Sequence, residues 1–183
     1  VTASDGTNSA TQAITISINN LNDNAPSFTS NSSFDADENQ TAIGTVTAID
    51  ADGDTLTFSI SGSEININSS TGVLTFASAP DYETKTSYSA TVTASDGTNS
   101  ATQDITVSVN NVSDNTPSFT SSSSFSVDEN QTSIGTVTAT DADDDTLTFS
   151  VSGSEIDIDA DTGELTFASA PDYETKSSYS TTV

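Results

Sequence analysis

Apolar and polar residues alternate with a period of two along most of this chain. In "TLTFSIS", Leu56, Phe58 and Ile60 fall on one side and threonines and serines on the other. "SYSATVTA" repeats the pattern with Tyr88, Ala90, Val92 and Ala94, and "DITVSVN" with Ile105, Val107 and Val109. Such alternation, rich in Val, Ile, Thr and aromatic residues, predicts half-buried antiparallel strands. Turn signals punctuate the runs: "ADGD" at 51–54, "SGSE" at 61–64, "SSTG" at 69–72, "APDYE" at 79–83 and "SDGTNS" at 95–100. No segment keeps helical spacing over a useful length. The expected strands are 27–36, 43–49, 55–61, 64–68, 73–77, 87–94 and 101–110. Seven short strands in about ninety residues predict an all-β, Greek-key β-sandwich.

The pattern occurs twice. Residues 1–92 laid on 92–183 agree at 72 of 92 positions without a gap, the mark of an array of equivalent domains. The expected organisation is therefore tandem seven-stranded sandwiches. Residues 1–24 read as the last strand and linker of a preceding repeat, 25–115 as a complete repeat, and 116–183 as a repeat lacking its final strand. Residues 1–19 reproduce the strand that 116–183 lack. The chain begins at Val1 in mid-pattern and reads as a piece of something longer.

Composition tests this picture. Hydrophobic residues make up only 32% and the net charge is −25, values that also mark disordered chains. A disordered chain has no reason to keep strand alternation, so the fold reading prevails. Asp and Glu number 27 against two Lys, with no His and no Cys. Nucleic acid and anionic membranes demand a basic surface and are excluded as partners. Cations suit this surface. No disulfide can form, and no run of 18 apolar residues inserts into a membrane within this stretch.

The acids are not scattered. "NLNDNAPSF" (20–28) and "NVSDNTPSF" (111–119) lie 91 residues apart, one at each expected linker. "DEN" (37–39, 128–130), "DAD" (50–52, 141–143), "DYE" (81–83, 172–174) and "ASDG" (3–6, 94–97) recur once per unit. Taken singly, each reads as well as a solvated turn, because Asp and Asn favour turns. Taken together, they are expected to meet at the poles of the sandwiches, where their charges repel. A hard divalent cation would relieve that repulsion. Calcium takes 6–8 oxygens from Asp, Glu, Asn and carbonyls, which is the inventory present. Zinc, copper and iron want His or Cys, and magnesium prefers fewer protein ligands.

"DEN" before an Ile-Gly-Thr-Val strand, then "DAD", "DYE", "ASDG" and "NDNAPSF" follow one another in the order and spacing of cadherin repeats. The resemblance covers essentially the whole chain, and five motifs in order make it specific. The linkers and the Ser/Thr-rich composition look most like repeats of large bacterial surface proteins. The resemblance implies calcium bound at inter-repeat junctions of a rod at the cell surface, with other cadherin-like repeats, of the same or a neighbouring chain, as partners.

Carried over by position, the family's ligands at the second linker map to Glu38, Asp81 and Glu83 from below. Asn111, Asp114 and Asn115 come from the linker itself, and Asp141 and Asp143 from above. At the leading linker they map to Asn20, Asn22, Asp23 and Asn24, with Asp50, Asp52 and Asp96 above. Three departures stand out: Asn20 and Asn111 replace the family's first linker Asp, Ser113 replaces an Asn, and Tyr82 and Tyr173 stand where many members have Arg. These lower the expected calcium affinity toward the ~10⁻⁴–10⁻³ M range of extracellular modules. Without any Trp, Trp-anchored strand exchange cannot operate.

Other motifs carry less. "DIDADTG" (157–163) has its glycine at the seventh position, not the sixth, and Ala168 where a calcium loop of the helix-loop-helix type wants Glu. It reads as a solvated turn, like its sibling "NINSSTG" (66–72). Catalysis lacks His, Cys and any Gly-rich phosphate loop. The alternative function is a spacer or carbohydrate-binding module of a secreted enzyme, but such modules display aromatic rings on an open face, and here Phe and Tyr fall mainly at inward positions.

Overall fold

A computed structural model describes residues 1–183. The chain divides into two compact units, Val1–Pro80 with Ser87–Val109, and Asp81–Thr86 with Asn110–Val183. Each acidic linker belongs to the unit that follows it in sequence.

The first unit opens with a short hairpin of β1 (Thr2–Ser4) and β2 (Ser9–Thr11). Next come β3 (Ser27–Phe28), β4 (Ser33–Asp37), β5 (Ala42–Thr45), β6 (Ala48–Ile49) and β7 (Thr57–Ile60). They are followed by β8 (Ile65–Ile67), β9 (Val73–Phe76), β10 (Ser87–Ser95) and β11 (Ser100–Asn110). One sheet has the order β4-β11-β10-β7 and a second the order β5-β9-β8, while β3 pairs with β6. Two expected strands, 27–36 and 43–49, are each broken in two. The reason is a change of partner: β3 bonds β6 and β4 joins β11, while β5 bonds β9. A strand that serves two sheets must bend between them.

Alternation is realised in the core. Val46, Ile65, Leu74 and Phe76 are buried from the β5-β9-β8 side, and Val92, Ala94, Ile105, Val107 and Val109 from β10 and β11. Each fully buried Val, Leu or Ile contributes about 1.5–3 kcal/mol relative to exposure. Phe76 of β9 meets Tyr88 of β10 edge to face at 5.0 Å between ring centroids, tying the two sheets. Gly72, at φ 71°, closes the turn before β9. A Cβ there would sit 2.2 Å from the Val46 carbonyl oxygen, so neither the backbone angle nor the space admits a side chain.

The second unit repeats part of this plan with β12 (Ser118–Phe119), β13 (Ser133–Thr136), β14 (Ala139–Thr140), β15 (Ile156–Ile158) and β16 (Glu164–Phe167). The sheets are β13-β16-β15 and β12-β14. Val137, Ile156, Leu165 and Phe167 form the core, with Val127, Ile134, Phe149, Val151, Ile158, Tyr179 and Val183 half-buried against it. The segments equivalent to β4, β7 and β10 form no ladder. In the first unit β11 lies between β4 and β10 and bonds both. The segments equivalent to β7 and β10 still meet where Ser152 donates its N–H to the Thr182 carbonyl at 2.8 Å.

Candidate metal centre

The leading linker folds onto the loop after β6. Asp50 organises that loop, its Oδ1 accepting the backbone N–H groups of Asp52 at 2.9 Å and Asp54 at 3.3 Å. The carboxylate of Asp52 then receives the linker: Oδ2 accepts the backbone N–H of Asp23 at 3.0 Å and of Asn24 at 2.9 Å. The Asn24 side-chain amide donates to both oxygens of Asp52 and to Oδ1 of Asp23. Asn20 donates its amide to the Asp52 carbonyl at 2.8 Å. Asp96, at the end of β10, accepts the N–H groups of Thr98 and Asn99, each at 2.6 Å. Asn99 joins this turn to the linker by donating to Asn22 Oδ1 at 3.1 Å and to the Asn24 carbonyl at 3.2 Å.

The second linker is built the same way within the second unit. Asp143 Oδ2 accepts the backbone N–H of Asp114 at 3.0 Å and of Asn115 at 2.8 Å. The Asn115 amide donates to Asp143 Oδ1 and to Asp114 Oδ1, and Asn111 donates to the Asp143 carbonyl at 2.9 Å. Asp141 Oδ1 accepts the N–H of Asp143 at 3.0 Å. In both linkers the first Asn, where the family has Asp, thus spends its amide nitrogen anchoring the linker. Asp144 takes the place of Gly53 and keeps the left-handed conformation, at φ 61° against 79°.

Carboxylates gather at these places. One oxygen from each of Asp50, Asp52 and Asp54 lies within 4.8 Å of the others, and the same holds for Asp141, Asp143 and Asp145. Glu83, Asp114 and Asp143 also come within 4.8 Å of one another. Asp143 is 7% exposed and Glu38 4% exposed, the two buried charged residues. Asp81 closes the turn before β10, accepting the hydroxyl of Thr84 at 2.9 Å.

Several residues outside the expected set belong to these clusters. Asp54 and Asp145 complete the "DAD" loops as third carboxylates. Asn99 was hidden because its role is to donate hydrogen bonds to the linker. Glu129, Asp172 and Glu174 form an exposed cluster with oxygens within 4.8 Å, with Glu129 Oε2 accepting the N–H of Tyr173 at 2.9 Å. They are the repeat equivalents of Glu38, Asp81 and Glu83, 91 residues on, and the repeat offset alone could have found them. The "DIDADTG" loop is a solvated turn: Asp159 Oδ1 accepts the N–H groups of Asp161 and Thr162 at 3.1 and 2.9 Å.

The electrostatics divide the acids into two kinds. Hydrogen bonds from the Asn24 backbone, above all, hold the Asp52 carboxyl below its ordinary range despite burial. The Asn115 side-chain amide does the same for Asp143, helped by the backbone N–H groups of Asn115 and Asp114. Burial pushes Asp96 up, but the N–H groups of Asn99 and Thr98 and the Asn99 amide outweigh it, and Asp96 ends low. Asp54 is raised, first by burial and then by the charges of Asp50, Asp52 and Asp96. Oδ2 of Asp50 and Oδ2 of Asp54 are both buried without a hydrogen-bond partner. Buried charged oxygens without donors are costly. An all-oxygen cluster in that state fits a hard cation that would supply the missing positive charge.

A family model described as the cadherin domain matches residues 32–110. These residues form a cadherin domain. The rest of the chain is tied to this match by its internal identity, 72 of 92 positions at an offset of 91. Mouse cadherin-related family member 2 is 39% identical over 88 residues, which is 46% of this chain and 7% of the relative. The chain therefore spans only a small part of that relative. Among solved structures, mouse cadherin-23 EC22-24 matches with a TM-score of 0.69 and 29% identity, covering 84% of this chain and 57% of that one. Human protocadherin-24 EC1-2 shares the fold, with a TM-score of 0.70 at 24% identity, covering 85% of this chain and 82% of that one. The cadherin likeness places the chain among extracellular modules of the adhesion type.

Proposed function

We propose that this chain is part of a calcium-stiffened extracellular rod that serves adhesion at a cell surface. The observation that carries the reading is the Asp50, Asp52 and Asp54 cluster, with two buried carboxylate oxygens that no donor satisfies. Asp50, Asp52 and Asp96 would hold calcium at the leading linker with Asn22, Asp23 and Asn24, and Asp54 would join them. At the second linker Asp81, Glu83, Asp114, Asn115, Asp141 and Asp143 would do so, and the resemblance adds Glu38. The Glu129, Asp172 and Glu174 cluster supports that last assignment, because it is the same trio one repeat later.

The chain's own residues prepare the site. Asp52 and Asp143 take two backbone N–H groups each from the linker and so fix its path. Bound calcium supplies charge that screens the gathered carboxylates. Once their repulsion is relieved, the linker is held against the repeat that follows it, and successive repeats keep a fixed orientation. The sugar-binding alternative finds less support, since Tyr88 and Tyr179 pack edge to face against Phe76 and Phe167.

Thermal unfolding in calcium, in magnesium and in chelator tests this reading. A ligand at 100 times its Kd stabilises by about 2.7 kcal/mol, several degrees for a domain of this size. A rise in calcium alone is expected. Three coincident curves would reduce the clusters to solvated turns.

A further inference from the structure

Lys85 and Lys176 are the two basic side chains of the chain, against 27 Asp and Glu. Both end the same segment, "APDYETK", at 79–85 and 170–176. Two lysines cannot neutralise so many acids, so the place of each has a local cause.

Lys176 is held from three sides. Its ammonium donates to both carboxylate oxygens of Glu155, at 2.6 and 2.7 Å, and lies 4.4 Å from the centre of the Tyr179 ring. Glu155 directly precedes β15, and its carbonyl accepts the N–H of Ala168 at 3.0 Å, just past β16. Tyr179 rests edge to face on Phe167 of the core, with 4.9 Å between ring centroids. The backbone N–H of Lys176 donates to the Asp172 carbonyl at 2.9 Å and closes the turn that carries Asp172 and Glu174. The lysine is thus joined to the sheet by its side chain and to the acidic turn by its main chain.

That turn is under electrostatic load. Asp172 organises it from within, accepting the N–H of Glu174 at 3.1 Å and the Thr175 hydroxyl at 2.9 Å, and Glu129 holds the N–H of Tyr173. Yet Glu129, Asp172 and Glu174 bring carboxylate oxygens within 4.8 Å of one another, and like charges that close push the turn outward. An isolated exposed ion pair contributes little. A cation that engages two oxygens and an aromatic face at once is better fixed, and it pulls the turn against that repulsion.

The same frame recurs around Lys85. Its N–H donates to the Asp81 carbonyl at 2.9 Å, and the Glu64 carbonyl accepts the N–H of Ala77 at 2.8 Å. Tyr88 rests on Phe76 at 5.0 Å. The arrangement belongs to both repeats.

We infer that Lys85 and Lys176 are positioning residues for the cation sites, each holding the Asp-Tyr-Glu turn of its repeat so that the turn's carboxylates stay gathered. The inference rests on the calcium reading above. Two roles for such a lysine predict opposite signs. Acting through its charge alone, it repels a nearby divalent cation, and its removal tightens binding. Acting by position, its removal weakens binding.

Calcium titrations of the full chain, followed at the amide resonances of Asp114 and Asn115, compare the parent with Lys85→Met and Lys85→Arg. Lys85→Met is expected to weaken binding there on the order of tenfold, the scale of a lost outer-shell partner. Lys85→Arg, which can still engage both oxygens of a carboxylate, is expected to restore most of it. In chelator, amide exchange at Thr175 and Lys176 should quicken in Lys176→Met and not in Lys176→Arg, with β16 unchanged in both. Equal or tighter calcium binding by Lys85→Met would overturn the inference and leave the calcium reading standing, as would unaltered exchange in Lys176→Met. A parent chain whose linker amides ignore calcium would overturn both.

Discussion

Asn115 donates both its backbone N–H, at 2.8 Å, and its side-chain amide, at 3.0 Å, to the carboxylate of Asp143. Asn24 addresses Asp52 in the same way, 91 residues earlier, at 2.9 and 3.0 Å. One aspartate thus sets the path of each linker before any ion is considered. Asp143→Ala removes the acceptor for two adjacent backbone amides. Amide hydrogen exchange at Asp114 and Asn115 is expected to speed up on the order of tenfold, the scale set by one net hydrogen bond to a charged group. Exchange in β16 should not change. Unaltered protection at the linker would mean that Asp143 does not hold it.

The pH dependence has two opposite parts. Asp52, Asp96 and Asp143 lie below the ordinary aspartate value of 3.8 because their charged forms are hydrogen-bonded. Their contribution is full above that value and is lost as pH falls through the lower folded values. Asp54 is raised, so its charged form opposes folding; that penalty is absent at acid pH and grows as pH rises from 3.8 through its raised value. With chelator present, stability is expected to climb as pH rises to 3.8, then to fall back as Asp54 ionises and to level off above its raised value. Denaturant titrations across this range supply the check, and a monotonic rise would assign no penalty to Asp54.

Much of this was legible in the sequence, and the reasons differ by element. β10 and β11 were readable because each keeps strict alternation with one buried face, from Tyr88 to Ala94 and from Ile105 to Val109. The split of 27–36 into β3 and β4 was not, since nothing in "SFTSNSSFDAD" records that Phe28 and Phe34 serve different sheets. At the site, spacing located the "DAD" loops, but not the bonds by which Asp50 Oδ1 gathers the N–H groups of Asp52 and Asp54. Asn99 was invisible for a further reason: locally it reads only as part of the "SDGTNS" turn, and its bonds to the linker cross 75 and 77 positions. The bacterial resemblance rests on linker and Ser/Thr composition alone, whereas the matched relatives named above are mouse and human proteins.

Asp54→Asn separates repulsion from ligation. Without divalent cation, the variant should melt higher than the parent, because it removes a raised carboxylate crowded by Asp50, Asp52 and Asp96. With calcium in excess, its gain should be smaller than the parent's, because an oxygen with full charge has been lost. The two effects have opposite signs, so a general loss of fold cannot imitate them. Equal melting shifts for variant and parent on adding calcium would remove Asp54 from the site.

Gly72→Ala tests the packing beneath the loops independently of any ion. The residue sits at φ 71°, and an added Cβ would lie 2.2 Å from the Val46 carbonyl oxygen, which is backbone and cannot swing away. Val46 donates its own N–H to the Gly72 carbonyl at 3.0 Å, so moving apart also breaks that bond. The left-handed conformation alone costs an L-residue about 1–2 kcal/mol, and the overlap adds to it. For a domain of this size that is on the order of 10 °C in melting temperature. Gly163→Ala repeats the experiment in the second unit, where φ is also 71° and the Val137 carbonyl oxygen would lie 2.3 Å away. The second unit lacks the ladders of β4, β7 and β10, so this variant is expected to unfold that unit at ordinary temperature while the first unit keeps its transition. Two separate melts, each moved by its own glycine, would show that the units fold independently; a single melt moved equally by both would show that they unfold as one.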